Sequence, residues 1–266
     1  MSQQEQAPKF PHRVTRERRY MTHLLLGAGP GKAAAAAPST PVAGYTAWYD
    51  ASQEAYSNND PVDSWTDRSA NALTVSNTLT LRPTFKTNII NGKPVIRFDG
   101  SSQFLGSSGD ALGTAITPSA YTIFVVFNAA AISTANGSTW DNPALVSDTG
   151  GDEYFSINLK STPAIFAYNW DTNDDNVSKS ISTGTNYIVQ TRHESGNLYV
   201  SLNAGSESSV ASGDTGDIAN KLYVGVGNSI RFFQGDIAEI IIYNTALSTS
   251  DIALNYSYLN GKYAVY

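Results

Sequence analysis

The chain has 266 residues, of which 41% are hydrophobic and 15% charged, and it contains no cysteine. This composition excludes a disordered protein, and the lack of cysteine excludes disulfides, thiolate metal sites and cysteine nucleophiles. The charge is unevenly distributed, because residues 1–40 have six basic and two acidic side chains and residues 41–266 have 11 basic and 21 acidic ones. This division, +4 against −10, predicts an attachment segment in front of a separately folded acidic domain.

The predicted arm, residues 1–43, has no sustained strand or helix periodicity, and its Gly, Pro and Ala residues from Gly27 to Pro38 indicate a linker. Such a segment cannot offset its own ordering entropy, roughly 1–2 kcal/mol per residue, with internal contacts. We therefore predict an assembly anchor that becomes ordered on a partner. The anchor residues are Arg13, Arg16, Arg18, Arg19, Tyr20, Leu24, Leu25 and Leu26.

Three other interpretations of the arm fit its sequence less well. A secretion signal needs an apolar core of roughly 7–15 residues, and here only three leucines precede Gly27. A phosphate-binding loop at Gly27–Lys32 lacks its first glycine, since Leu26 stands there, and Ala33 replaces the serine or threonine. Nucleic-acid binding is disfavoured because Tyr20 is the only aromatic residue near the arginines.

From Gly44 onward, short apolar runs alternate with Gly, Asn, Asp and Ser, which predicts an antiparallel β-sandwich over residues 44–266. Residues 121–128 are apolar almost throughout, as expected of a strand that is covered on both faces. Apolar runs, such as Ile240–Ile242, are too short to cross a bilayer. The other predicted strands are 45–50, 94–99, 143–147, 153–159, 163–169, 186–192, 197–203, 221–226 and 236–243.

One helix is predicted, at the C-terminal end of the body. Ser248 is its N-cap and Asp251 stands at the third helical position, as in a capping box. Gly261 is predicted to end it. Its apolar side consists of Ile252, Leu254, Tyr258 and Leu259.

Three separated blocks of the body, residues 47–71, 82–101 and 235–263, resemble the laminin-G-like, concanavalin-A-like domains of bacteria and phages. They contain Ala47-Trp48-Tyr49-Asp50, Gly92-Lys93-Pro94-Val95 and Gly235-Asp236-Ile237-Ala238. The resemblance covers residues 45–266 and implies a jelly-roll sandwich. Domains of this kind bind sugars, bind proteins or decorate surfaces. A basic arm joined to such a domain resembles the architecture of tailed-phage virion proteins.

The resemblance and the charge division together predict a non-enzymatic virion structural protein, a homo-oligomer displayed on the particle surface. Its predicted partners are other virion proteins, through residues 1–40, and a host-surface glycan, with no membrane and no specific nucleic acid. The alternatives are a secreted carbohydrate-binding module and, as the least favoured, a glycan-cleaving enzyme.

No catalytic residue is predicted. A glycosidase needs two carboxylates that straddle one bond, and Asp236 and Glu239 are expected on opposite faces of a strand. Asp152 and Glu153 diverge for the same reason. His193 is the only histidine outside the arm, and its neighbours indicate a polar turn.

Several residues of the resembling blocks are expected to have structural roles. Trp48 and Trp65 are predicted to be core or strand-packing aromatics. Asp67, Asn71 and Asp99 are predicted to hold turns through local amides. Glu239 is either a buried, paired carboxylate or an outward-facing one, and the second is the commoner arrangement.

Two binding sites are candidates. Trp140, Tyr168 and Trp170 are predicted to form an aromatic platform for a sugar, with core packing as the alternative. No cofactor is required, and calcium is the ion to consider because Asp171, Asp174 and Asp175 lie within six residues. An EF-hand is excluded, since Asn176 and Ser182 stand where glycine and glutamate are needed. The alternative to calcium binding is a solvated polar turn.

Overall fold

The computed structural model describes residues 36–109, 111, 115–117, 119–132, 142–148, 155–160, 163–170, 174–213, 221–228 and 231–266. The anchor residues predicted between Arg13 and Leu26 lie outside these ranges. The described strands are β1 (Ala47–Asp50), β2 (Ser64–Trp65), β3 (Val75–Ser76), β4 (Thr84–Ile90), β5 (Lys93–Asp99), β6 (Leu105–Ser107), β7 (Ala120–Ala131), β8 (Ala144–Asp148), β9 (Phe155–Lys160), β10 (Ala164–Trp170), β11 (Asp174–Ser180), β12 (Asn186–Glu194), β13 (Asn197–Leu202), β14 (Ser208–Ala211), β15 (Leu222–Val224), β16 (Val226–Gly227), β17 (Arg231–Phe232) and β18 (Gln234–Tyr243). Helix α1 spans Thr249–Tyr263, and two short 3₁₀ helices span Ala51–Gln53 and Leu79–Leu81.

Two antiparallel sheets form the predicted sandwich, which is confirmed. Sheet A has the order β14-β13-β12-β7-β18-β5-β4, and β1 also pairs with β18. Sheet B has the order β11-β10-β9-β8-β15-β6-β3-β2. Within the described residues, no helix is long and apolar enough to span a membrane.

Strand β18 is bordered on one edge by two different strands. β5 pairs with its first part, from Gln234 to Ile237, and β1 pairs with its later part, from Glu239 to Ile242. A register shift against β7 between Ile237 and Glu239 separates the two parts. This β-bulge adds one residue to β18, so that side chains after it change face relative to a regular strand.

Strand β7 carries apolar side chains on both faces, as predicted from its sequence. Ile123 and Val125 pack into the main core between the sheets. Phe124 and Val126 belong to a second apolar cluster, which includes Tyr256 and Leu259 of α1. Sheet A is therefore covered on its inner face by sheet B and on part of its outer face by α1.

Helix α1 begins as predicted. Ser248 caps it, because its hydroxyl accepts the amide N–H of Asp251 at 3.2 Å. Leu254, predicted on its apolar side, is instead 46% exposed. The prediction missed the buried positions Asn255, Tyr256 and Tyr263.

The predicted helix end at Gly261 is wrong, because α1 continues to Tyr263. Ala264 adopts a left-handed conformation, and its amide N–H donates to the carbonyl oxygen of Asn260 at 2.8 Å. The Asn260 side chain accepts the next two amides, so the cap needs no glycine. Gly261 is required by packing, since a Cβ there would lie 2.7 Å from the Ala37 Cβ.

Residues 37–43, which the sequence assigns to the arm, pack on the sandwich. Ala37–Tyr266 form one compact unit. The Val42 amide donates to Asn255 Oδ1 at 2.9 Å, and the Tyr243 hydroxyl donates to the Val42 carbonyl at 2.7 Å. In the structure, the body begins ahead of the predicted boundary at Gly44.

Strands β2, β4, β6, β11, β14 and β17 are not predicted from the sequence. In β11 the only apolar residue is Val177, so the alternation that marks a half-buried strand is missing. β11 forms because β10 offers it a continuous row of partners, from Ala164 to Trp170. Pairing with a neighbour has overridden local propensity here.

Candidate functional site

One row of polar residues crosses five neighbouring strands of sheet A. Thr84 lies opposite Arg97, Arg97 opposite Asp236, Asp236 opposite Asn128, and Asn128 opposite Asn186. Directly opposed residues in a sheet share a face. With strands about 4.8 Å apart, the row is roughly 19 Å long. We call these five residues the polar row.

The polar row lies on the outer face of sheet A, next to the area that α1 covers. Two residues away along β5, β7, β12 and β18, on the same face, Val95, Val126, Ile188 and Ala238 pack in the apolar cluster under α1. Helix α1 therefore covers the sheet at these apolar residues and does not cover the polar row.

Four residues of the polar row, Thr84, Arg97, Asn128 and Asp236, line a groove of about 740 Å³. Its walls come from β4, β5, β7 and β18, which are packed strands, so the groove is preformed. The lining residues are Thr84, Lys86, Ile89, Arg97, Phe98, Asp99, Gln103, Asn128, Ala130, Gly184, Gln234, Gly235 and Asp236.

The central pair of the polar row is bidentate. Arg97 Nε and Nη2 donate to Asp236 Oδ1 and Oδ2 at 2.7 and 2.8 Å, and this bonding raises the pKa of the Arg97 guanidinium. The Arg97 side chain is 43% exposed, whereas that of Asp236 is 9% exposed. A guanidinium has five N–H groups, and Asp236 uses two of them. Beside the pair, Asn128 Nδ2 donates to Asn186 Oδ1 at 2.7 Å.

Asp99 and Asp67 hold turns, as predicted. Asp99 Oδ1 accepts the amides of Ser101, Ser102 and Gln103. Burial alone would raise the Asp99 pKa, but the Ser101 hydroxyl and these amides lower it to about 2. Asp67 accepts the amides of residues 48, 69 and 73.

The other predicted structural roles are confirmed in part. The Asn71 side-chain amide donates to the carbonyl of Thr46, 25 residues earlier in the chain, rather than binding a local amide as predicted. Trp65 is fully buried. Trp48 is only half-buried, with its indole N–H turned inward.

Glu239 is a buried, paired carboxylate rather than an outward-facing one. Lys262 Nζ donates to Glu239 Oε2 at 2.7 Å and to Asp50 Oδ2 at 2.6 Å. The side chains of Glu239, Asp50 and Lys262 are 0%, 2% and 14% exposed. We call these three residues the ion-pair cluster. Lys262 was missed from the sequence, although it follows Tyr258 by one helical turn.

Aromatic side chains complete the surroundings of Glu239. Trp48 Nε1 and the Tyr258 hydroxyl donate to Oε1 at 2.8 and 2.7 Å. The Tyr263 hydroxyl donates to Oε2 at 2.8 Å. Burial raises the pKa of Glu239, against the opposing charge of Lys262. Burial likewise raises the pKa values of Tyr258 and Tyr263 above the usual range for tyrosine.

Asp236 and Glu239 share a face of sheet A, so the prediction of opposite faces is wrong. The bulge between Ile237 and Glu239 inserts one residue and reverses the expected alternation. Both carboxylates nevertheless accept hydrogen bonds, Asp236 from Arg97 and Glu239 from Lys262 and other donors.

His193 lies in β12 and not in a polar turn. It is fully buried, and its ring nitrogens face the carbonyl oxygens of Ser119 and Ser212 at 3.2 and 3.3 Å. The turn begins only after Glu194. The polar neighbours misled the prediction, because successive residues of a strand point alternately into the core and toward solvent.

The predicted sugar platform is partly outside the described residues. Trp140 lies outside them, and Trp170 is the last residue of β10. Tyr168 is 1% exposed, so its ring face is not available to stack on a sugar. Tyr168 lies in β10, which pairs with β9 and β11.

The predicted calcium ligands are separated by the start of a strand. Asp171 lies outside the described residues, and Asp174 and Asp175 are the first residues of β11. In the part of the chain that the structure describes, no three His, Cys, Asp or Glu side chains are grouped to hold a metal ion. A calcium site that includes Asp171 stays a prediction.

No protein-family model and no curated protein sequence matches this chain. Solved structures do resemble it. A Trypanosoma rangeli sialidase in complex with sialic acid superimposes with a TM-score of 0.56 at 13% identity, covering 83% of this chain and 34% of the sialidase. This chain thus spans about a third of the sialidase length.

Two further structures have similar folds. Domain 4 of AbnA, an extracellular arabinanase from Geobacillus stearothermophilus in complex with arabinotriose, gives a TM-score of 0.54 at 15% identity, with 80% of this chain and 97% of the domain covered. The receptor binding domain of botulinum neurotoxin type G gives 0.52 at 12% identity, with 75% and 51% covered. These likenesses show the fold, a β-sandwich consistent with the concanavalin-A-like architecture.

Proposed function

We propose that residues 37–266 form a non-catalytic glycan-binding module that holds its ligand in the groove on sheet A. The observation that carries this proposal is the polar row. Its amide and guanidinium groups offer both donors and acceptors at fixed spacing, which suits the neighbouring hydroxyl groups of a sugar. Rigid strands position them, so little side-chain entropy is lost on binding.

The proposal that the module is non-catalytic rests on the carboxylates that line the groove. Glycoside hydrolysis requires one carboxyl group to give a proton and another to act as base or nucleophile. Asp236 is held by Arg97, and Asp99 is held by three amides of its own turn. Among the described lining residues, neither acid has the unpaired oxygens that such roles need.

Similar folds add support to the glycan proposal. The sialidase and the AbnA domain were solved with sialic acid and with arabinotriose, respectively. The match covers 97% of the AbnA domain, so a sandwich of this fold binds a sugar in that protein, although fold alone does not fix the site.

A glycan array followed by calorimetry tests the proposal. We expect the chain to bind at least one oligosaccharide, and Asn128→Ala or Gln103→Ala to lower the affinity roughly two- to tenfold through one lost hydrogen bond each. Asn197→Ala, at the β12–β13 turn, is the matched control and should leave affinity unchanged. Absence of binding across the array, or wild-type affinity in both groove variants, would contradict the proposal.

The arm has a second function in this proposal, as the anchor of the module in a virion. The supporting observation is the charge division, with a net +4 on residues 1–40 in front of a strongly acidic body. Because Ala37–Val42 pack on the sandwich, the informative truncation removes residues 1–36 only. We expect the truncated chain to keep its glycan affinity and to lose incorporation when produced with the other particle proteins. Equal incorporation of both chains would refute the anchor.

A further inference from the structure

In the ion-pair cluster one lysine nitrogen lies between two carboxylates, whereas an ordinary salt bridge joins one nitrogen group to one carboxylate. Lys262 Nζ lies 2.6 Å from Asp50 Oδ2 and 2.7 Å from Glu239 Oε2. The Asp50 and Glu239 side chains are buried next to α1, which carries Lys262, Tyr258 and Tyr263. The cluster is separate from the polar row, so its chemistry is independent of glycan binding.

The two oxygens of Asp50 have different surroundings. Oδ1 accepts the amide N–H of Ser52 at 2.9 Å and its hydroxyl at 2.7 Å. Oδ2 contacts Lys262 Nζ alone among the described side chains and amides. Two donors on one carboxyl oxygen would stabilise negative charge there if a nucleophile added to the carboxyl carbon. The other oxygen faces the amine and is placed to leave.

We propose that Lys262 and Asp50 join in an intramolecular amide bond, with Glu239 carrying the proton between them. The Lys262 nitrogen bonds to the Asp50 carboxyl carbon, and the bond from that carbon to Oδ2 breaks. The ammonium and the carboxylate together become one amide and one water molecule. No oxidant, reductant or further reactant is consumed.

Glu239 is placed to move the protons of this reaction. Its Oε2 takes a proton from Lys262 Nζ, which makes the amine neutral and nucleophilic. It then returns that proton to the departing Oδ2, and the second proton lost by the nitrogen completes the water. Burial raises the pKa of Glu239, which favours the protonated intermediate form.

Condensation of an amine with a carboxylate is unfavourable in dilute solution, but two features favour it here. Fixed groups in contact react with effective molarities of roughly 10⁵–10⁸ M. Burial also penalises the charged reactants more than the neutral amide. The water has a way out, since Asp50 and Lys262 line an open cleft of about 560 Å³ beside Lys93.

Asp50 rather than Glu239 is the acceptor in this proposal. Each Glu239 oxygen is held by two donors, which stabilise the carboxylate and leave no oxygen to depart. The resulting bond would join β1 to α1 across 212 residues of sequence. It would close the body covalently in a chain that contains no cysteine.

Intact-mass spectrometry of the purified wild-type chain tests the proposal. We expect the folded protein to weigh one water molecule less than its sequence, and the deficit to persist after denaturation. Trypsin should then release residues 33–68 covalently joined to residues 232–266, because an acylated Lys262 is not cleaved. A succinimide at Asp50 would give the same mass deficit but leave these two peptides separate, which would overturn the proposal.

Variants identify the roles of the three residues. Asp50→Ala and Glu239→Gln should restore the full mass, whereas Lys93→Met, which changes a lysine of the same cleft, should keep the deficit. A folded wild-type protein with its full mass after prolonged incubation would also overturn the proposal, and this result does not depend on whether any variant folds.

Discussion

Replacement of Lys262 by methionine is expected to lower the free energy of unfolding by about 3–5 kcal/mol. The substitution keeps an unbranched apolar stem but removes the Lys262 nitrogen that lies between Asp50 and Glu239, whose side chains are 2% and 0% exposed. Two buried carboxylates would then face each other without a nitrogen donor between them. Removing one partner of a buried ion pair is costly for this reason.

Denaturant unfolding followed by tryptophan fluorescence measures this loss. Lys93→Met is the matched control, because Lys93 lines the same cleft and is held by none of the described ion pairs. It should change stability by less than about 0.5 kcal/mol. Equal stability of the two variants would mean that the cluster does not hold α1 on the sheet.

Replacement of Gly235 by alanine is expected to destabilise the protein by about 3–5 kcal/mol. A Cβ at this position would overlap the carbonyl oxygen of Asn128 and lie 2.6 Å from the Phe233 ring. The first obstacle is backbone of β7, which cannot rotate away. Relief would require β7 and β18 to separate, and these strands carry Asn128 and Asp236 of the polar row.

Thermal and denaturant unfolding of Gly235→Ala should therefore be measured together with glycan affinity. Gly44→Ala is the control, since Gly44 also has a positive φ but open space around it. The control separates backbone strain, about 1–2 kcal/mol, from the added clash. A Gly235→Ala variant as stable as the control would show that the strands can move apart without cost.

The sequence was sufficient to predict elements whose signals are local. The apolar run of residues 121–128 indicated burial on both faces, and β7 is indeed packed between the main core and α1. Ser248 and Asp251 marked the start of α1, because capping involves residues three apart. The turn-holding roles of Asp67 and Asp99 could be predicted for the same reason, because each accepts the amide of a residue two positions later.

The polar row could not be predicted because it depends on register. Arg97 and Asn128 fall in predicted strands, and their alternation with apolar neighbours could have placed them on an outer face. Nothing local aligns them with Asn186 and Asp236, since pairing is fixed by the whole sheet. The bulge in β18 could not be predicted either, because Ala238 fits a regular strand as well as it fits a bulge.

The ion-pair cluster escaped prediction for a related reason. Asp50 is separated from Glu239 and Lys262 by most of the chain, and the three meet only because β1 pairs with β18 and α1 packs on the same sheet. The helix end was misplaced because Gly261 is a common stop signal. Its actual role, to leave room for Ala37, is a tertiary contact.

The central claim, that sheet A holds a glycan in the groove, is tested most directly by nuclear magnetic resonance. A ¹⁵N-labelled chain is titrated with the oligosaccharide that the array identifies. We predict that the largest amide shifts fall on Thr84, Arg97, Asn128, Asn186 and Asp236. Shifts confined to residues of sheet B, around Trp170, would contradict the account.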